Sequence, residues 1–251
     1  MRIVKFQDVL RGAAESTGRI FDSLSNDEFA LFRGFISRRL REAWESEYWP
    51  ELMQVESRTY DTSGDIKYIS HTQSNKTEIG QVYRILNKDP RAAHNWIEYD
   101  WQLHALGVVV IDGPETPYIE FRKRAPELTG SDWLASSDYI VGEQVYDNGD
   151  FWNVKVARDG TDDGGNAGTT GDPRPSADYV VNGETNWDLV EIPYIFKPWL
   201  EKAAAGDMLL LDEKPDLAMV QHNMAKEALD IESIKIYRQQ SQTSRIKFKT
   251  Y

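Results

Sequence analysis

The chain contains no cysteine among its 251 residues, which excludes disulfides, thiolate nucleophiles and cysteine-ligated zinc and suits a reducing compartment. Nor does it contain a run of about 18 apolar residues. Its "VVVI" at Val108–Ile111 is far too short for a bilayer core of roughly 30 Å. The opening "MRIVKFQDVL" lacks the apolar centre and small-residue cleavage site of a signal peptide, so no export is expected. Histidine is scarce, and His71, His94, His104 and His222 fall in no metal-ligand spacing. There is no nucleophile elbow, phosphate-binding loop or dinucleotide fingerprint. Carboxylates are plentiful, but no pair is singled out for acid/base work. The expectation is a protein that binds rather than turns over, with no cofactor and no metal.

What is present is enough apolar material for one large or two small cores, at 40% hydrophobic and 12% aromatic residues. The net charge of −12 argues against a general nucleic-acid-binding surface, and its distribution is uneven. Asp138 to Glu191 holds 12 acidic and 3 basic residues, whereas Lys235 to Tyr251 holds five basic residues and no acidic one.

Along the chain, "SNDEFALFRGFISRRLREAWESEYWP" predicts a helix capped by Ser25 or Asn26 and stopped by Pro50. Phe29, Phe32, Ile36, Leu40 and Ala43 form its buried face. A shorter helix precedes it, with Phe6, Val9, Leu10 and Ala13 on one side. From Met53 to Arg124 the pattern changes to short β runs separated by turn signals. "IEYDWQLHALG" reads better as strand than as helix, and Tyr118, Glu120 and Arg122 alternate with Ile119 and Phe121 as in a strand wet on one face. Helical periodicity resumes after Pro193, with Tyr194, Trp199, Ala203 and Leu210 among its apolar positions. A last helix of about five to seven turns carries Leu217, Val220, Met224, Leu229, Ile231 and Ile234, capped near Pro215 and Asp216.

Between Gly142 and Trp187 lies a Gly- and Asp-rich stretch in which "DYIVGEQVYDNGDFWNVKV" predicts a hairpin turning at Asn148 and Gly149. "NWDLV" closes the stretch as a strand. Such a module would bury Trp and Tyr in place of many aliphatics. "DGTDDGGN" is acidic but lacks the ligand spacing of a calcium loop and is expected to be a solvated loop. Tyr139, Gly142, Val145, Gly149, Trp152, Pro173 or Pro175, and Trp187 resemble the small chitin-binding modules of carbohydrate-binding families five and twelve. That resemblance implies glycan contact through Tyr146, Trp152 and Trp187. Because such modules also decorate phage virion proteins, structural packing is the favoured role.

Outside residues 138–190, the chain resembles the head-to-tail adaptors of tailed bacteriophages, of the tail tubular protein A or gatekeeper type. The resemblance is carried by Trp44 and Trp49 at the end of an early helix. Pro193, Phe196 and Trp199 open the C-terminal helical pair, and "IGQVYRILNKDPR" and "PYIEFRKRAP" supply the β runs. It implies an α+β fold: a helical bundle from both ends of the chain and a central antiparallel β domain (residues 1–137 and 191–251), with residues 138–190 as an inserted β module. It also implies a structural subunit of a ring of about twelve copies in the virion neck. The subunit would be made in the host cytoplasm and would contact portal, tail or nozzle proteins and packaged DNA, but no membrane. Arg245, Ile246, Lys247, Phe248, Lys249 and Tyr251 are the residues expected to reach the portal, adding a strand to its edge with alternating apolar and basic side chains. The alternative is a carbohydrate-binding attachment protein that uses the inserted module.

Overall fold

A computed structural model describes residues 2–73, 76–134, 137, 139–155, 175, 180–181, 184–185 and 187–243. The fold is α+β, as expected, and divides into two compact units. Residues 1–47 with 126–251 form a helical unit, and residues 48–125 form a β unit.

The helical unit contains α1 (Phe6–Ser16), α2 (Asn26–Ser46), α3 (Lys197–Leu211) and α4 (Pro215–Thr243). Ser25 caps α2 through a full capping box, accepting from the Glu28 amide while the Glu28 carboxylate accepts from the Ser25 amide. The predicted face is buried at Phe32, Ile36, Leu40 and Ala43, joined by Trp44. In α1 the predicted Phe6, Val9, Leu10 and Ala13 are buried, with Ala14 added.

Helix α3 is central. Ala203 to Leu209 are all buried, a helix apolar nearly all round packed on α1, α2 and α4. Leu210, expected among its apolar core positions, is exposed at the helix end. The turn to α4 places Glu213 at φ 58°, and the Lys214 amide closes back on the Leu209 carbonyl at 2.9 Å.

Helix α4 is longer than expected, at 29 residues, or about eight turns. Its inward face is built of small residues, with Ala218, Ala225 and Ser233 buried. Of the six apolar positions read from the sequence, Leu229 is half-buried, while Leu217, Val220, Met224, Ile231 and Ile234 are 45% to 56% exposed. The Ala-rich surface of α3 explains the substitution: two helices whose facing side chains are small approach closely, and the large residues turn outward.

The module also belongs to this unit. Asp150–Val154 pairs antiparallel with Gln144–Asp147 and with Trp187–Leu189, and the hairpin turns at Asn148 (φ 51°) and Gly149 (φ 90°) as expected. Tyr139, Val145, Val154 and Trp187 form its small core, with Trp133 and Trp152 packed against it. The expected boundary at 138 falls inside one sheet, because Ser131–Asp132 pairs parallel with the hairpin at Val145 and Tyr146.

The module is also docked onto α1. Lys5, the α1 N-cap, provides no side-chain cap, and the hairpin supplies what is missing. Asp150 Oδ1 accepts from the Phe6 amide at 3.0 Å and the Gly149 carbonyl from the Gln7 amide at 2.9 Å. A side chain at Gly149 would collide with Gln7, so this position requires glycine both for its φ and for the contact. Residues 156–174, which include the acidic loop and Pro173, lie outside the described residues.

In the β unit, Tyr118–Lys123 is the centre of a three-stranded antiparallel sheet between Met53–Ser57 and Ile79–Leu86. Trp101–His104, within the segment read as strand from the sequence, pairs with Gly107–Val110 as a hairpin. Ile69, Ile79, Val82, Ile85, Val108, Ile119 and Phe121 make the core. The strand expected to be wet on one face is not. Glu120 and Arg122 are both 8% exposed. Within the unit Glu120 pairs with Arg84 at 2.5 Å, and Arg122 donates a hydrogen bond to the Gln81 amide oxygen at 2.6 Å.

Candidate functional site

Three places among the described residues carry unusual chemistry. The first is a charge cluster inside the helical unit, on Asp207 of α3. Its side chain is 4% exposed and receives Arg39 Nε on Oδ2 at 2.9 Å and Arg39 Nη2 on Oδ1 at 2.5 Å, a two-point pairing. Arg38 adds a contact at 2.8 Å and His222 Nε2 lies 3.1 Å away. Burial alone would push the Asp207 carboxyl up. The hydrogen bonds from Arg39 and Arg38 together outweigh it, so the group stands below its ordinary value. Gly206 is what lets the imidazole lie against α3, since a Cβ there would fall on the His222 ring. Beside the cluster a groove of about 500 Å³ is lined by Trp199, His222, Lys226 and Asp230, among others. The arrangement clamps α2, α3 and α4 together. It contains no nucleophile poised beside a base, and its one buried carboxylate is saturated by cations.

The second place is a polar cleft of about 570 Å³ in the β unit, lined by Ser57, Arg58, Asp61, Thr72 and Lys76, among others. Arg58 is buried, sits 5.2 Å over the Phe121 ring, and pairs with Glu56 at 3.0 Å. It also donates to the Thr77 carbonyl, while its Nε and Nη1 have no hydrogen-bond partner among the described residues. Burial depresses its pKa and Glu56 offsets part of that effect.

The third place is the outer face of α4. Leu217, Val220, Met224 and Ile231, with Ile234 at the edge, recur at steps of three, four, seven and three, which puts them on one side of the helix. Each is about half exposed, and Leu210 and Leu211 on α3 are exposed by 51% and 56%. A contiguous row of large apolar side chains is the kind of surface patch that often marks an interaction site. No acid/base or metal signal marked it in the sequence. The available clue was the double pattern of α4, small residues on one face and large apolar ones on another.

The residues read as glycan contacts are placed as follows. Trp187 is 2% exposed in the module core, its ring 5.8 Å from Tyr139. Tyr146 is half-buried with its ring 5.9 Å from Phe6 and 5.2 Å from Phe29. Burial, followed by the carboxylates of Asp132, Asp150 and Asp147, pushes its phenol up to about 12. Trp152 is half-buried against the module core. The three do not share an open face on which a sugar ring could stack. We therefore expect the protein not to be retained on chitin in a pull-down, and retention abolished by Trp152→Ala would overturn that expectation.

Arg245, Ile246, Lys247, Phe248, Lys249 and Tyr251 lie outside the described residues. Among the described residues no group of acidic or histidine side chains could hold a metal ion, and no helix is long and apolar enough to cross a membrane. No protein-family model matches the chain, and no curated protein matches it.

Proposed function

We propose that the protein is a structural subunit of a bacteriophage head-to-tail connector, joining portal to tail in the virion neck as one copy of a ring. The observation that carries this reading is the apolar row on α4. It offers an exposed apolar surface of the kind that an assembly subunit buries against its neighbours. The order of segments along the sequence is that of the resemblance, with helical segments before and after a β unit and an added module. The module acts as a structural part of the subunit through its caps on α1, and sugar binding has no part in the proposal.

Purified protein mixed with portal should form rings visible by electron microscopy, of one fixed symmetry and seated on the portal. A chain that stays unassembled in the presence of both portal and tail proteins would defeat the reading. Truncation after Gln242 removes the basic tail and is expected to weaken portal binding about tenfold or more at low salt, with the difference from the intact chain shrinking as salt rises. Undiminished binding would take the tail out of the interface.

A further inference from the structure

We propose that the polar cleft of the β unit binds an acidic saccharide. The sugar's carboxylate is held between Arg58 and Lys76, and its hydroxyls are held by Asp61 and the Ser and Thr side chains of the lining. Such a site lies within the β unit alone and owes nothing to a place in the virion neck.

The edge strand Met53–Ser57 carries the first observation. Its pairing fixes which way its side chains face, because Gln54 stands opposite Phe121 and Glu56 opposite Ile119, and both partners are wholly buried. Residues directly opposite in an antiparallel pair share a face. The Arg58 amide continues the ladder to the Pro117 carbonyl at 2.9 Å, so Gln54, Glu56 and Arg58 alternate onto the core side together. All three are polar, and all three keep buried atoms without a hydrogen-bond partner among the described residues: Gln54 Oε1, Glu56 Oε2, and Arg58 Nε and Nη1. Glu56 Oε2 lies 3.0 Å from Arg58 Nη2 as a charge contact, not as an aligned hydrogen bond. Buried polar atoms are nearly always paired, and a guanidinium left short of acceptors costs more than a neutral group would. Packing alone gives no reason for this row. A ligand that brings acceptor oxygens does.

The row ends at the cleft, where Ser57, Arg58 and Thr59 line the wall together with Lys76. Arg58 Nη2 donates to the carbonyl of Thr77, so the guanidinium reaches the residue next to Lys76. The Lys76 ammonium is exposed and makes no ion pair among the described residues. Two cations thus stand close enough along the wall to share one carboxylate. The remaining lining suits hydroxyls. Asp61 makes a single long contact, 3.5 Å from Gln73 Nε2, and its other acceptor positions are free. The hydroxyls of Ser57, Thr59, Thr72 and Thr116 make no hydrogen bond among the described residues. Gln73 is already engaged, donating to the Thr59 carbonyl at 2.7 Å and so bracing the cleft. Tyr68 adds an aromatic side chain against which the CH face of a sugar can pack.

These groups together select the ligand class. A bare anion would gain from the cations but would meet Asp61, and a neutral sugar would use Asp61 and leave Arg58 unserved. A carboxylate beside vicinal hydroxyls uses both. At about 570 Å³ the cleft falls within the roughly 300–1,000 Å³ of small-molecule sites. Chitin carries no carboxylate, so its expected failure to retain the protein is unaffected.

Sodium glucuronate is the probe, titrated into the full chain by calorimetry, with sodium acetate, glucose and inorganic phosphate as comparisons. Saturable binding with a dissociation constant on the order of millimolar is expected. Each comparison compound supplies only part of the constellation and should bind at least about tenfold more weakly. Lys76→Gln and Asp61→Asn alter side chains at the rim and should leave the circular dichroism unchanged, while each weakens glucuronate about tenfold. Arg58→Gln should abolish saturation, and the rim variants decide the matter even where that variant fails to fold. Glucuronate binding that does not saturate by about 100 mM, or that is unchanged in either rim variant, would overturn the assignment. So would phosphate or acetate binding as tightly as glucuronate, which would reduce the cleft to a plain anion site. Ring formation on portal is measured separately, and neither result bears on the other.

Discussion

Replacing Asp207 by alanine is expected to destabilise the helical unit by about 3–5 kcal/mol, the usual effect of removing one partner from a buried ion pair. For a protein of this size that corresponds to a fall in melting temperature of roughly 10 °C or more. The magnitude is set by Arg39 rather than Arg38. Arg38 is 56% exposed and returns to water at little cost, whereas Arg39 is 20% exposed, loses both points of its pairing with Asp207 and keeps only the half-exposed Glu42, at 2.6 Å. The same change frees His222, so the contacts that α3 makes with α2 and with α4 weaken together.

The pH dependence follows from the direction of the shift. The folded carboxyl lies below its ordinary value near 3.8, so its contribution is fully present above that pH and is lost as pH falls through the lower, folded value. Thermal melts of the wild type and of Asp207→Asn between about pH 2 and 6 should therefore converge at the acid end. A wild type whose margin over the variant persists unchanged at pH 2 would show that Asp207 contributes nothing as a charge.

Phe151→Ala is the second large effect expected, again about 3–5 kcal/mol for an aromatic side chain removed from a filled core. Phe151 is 1% exposed, with its ring 4.9 Å from Phe6 of α1 and 5.1 Å from Tyr146. Because the hairpin also caps the first two amides of α1, loss of Phe151 should melt the module and the helices in one transition. Near-ultraviolet and far-ultraviolet circular dichroism should therefore give the same midpoint. Two separate transitions would mean that the module is an independent domain.

By the same reasoning, deleting residues 138–190 is expected to uncover Phe6 and leave the start of α1 without its caps, so the remainder should not fold cooperatively. A separable insertion is what the Gly- and Asp-rich composition of the stretch suggests. Composition cannot register that Asp150 and Gly149 serve a helix that begins 144 residues earlier.

Local features were the most legible in the sequence. The Ser25 and Glu28 box, the three-four spacing of α2 and the Asn148–Gly149 turn each depend on neighbours a few residues away, and each appears where the sequence places it. The strand Tyr118–Lys123 was readable as a strand, but its polar face could not be judged. Whether Glu120 and Arg122 meet water depends on Arg84 and Gln81, which come from another strand.

Helix α4 shows the same limit more sharply. Hydrophobicity alone would place Leu217, Val220 and Met224 inward, yet the choice of face is made by fit to the Ala-rich α3, and fit is a property of two helices. For the Asp207 cluster a signal did exist. A lone aspartate in "KAAAGDMLLL" must either reach solvent or find a cation, and the adjacent Arg38 and Arg39 of α2 were unexplained on an otherwise solvated face. Nothing in the sequence alone joined the two.

The central position of α3 also bears on how the chain is made. Arg39 and its partner Asp207 lie 168 residues apart, so at ~5–20 residues per second a ribosome needs roughly 10–30 s to produce the second after the first. Throughout that interval α1 and α2 have emerged without α3, the helix on which both pack, and α1 gains the hairpin that caps it only once Val154 has been made. The β unit, closed by Ala125, can fold during the wait, but the helical unit cannot. The nascent chain therefore carries two amphipathic helices with incompletely covered faces until α3 has been synthesised. Their protection during translation, by a chaperone or by transient pairing of α1 with α2, is a requirement that the finished structure no longer displays.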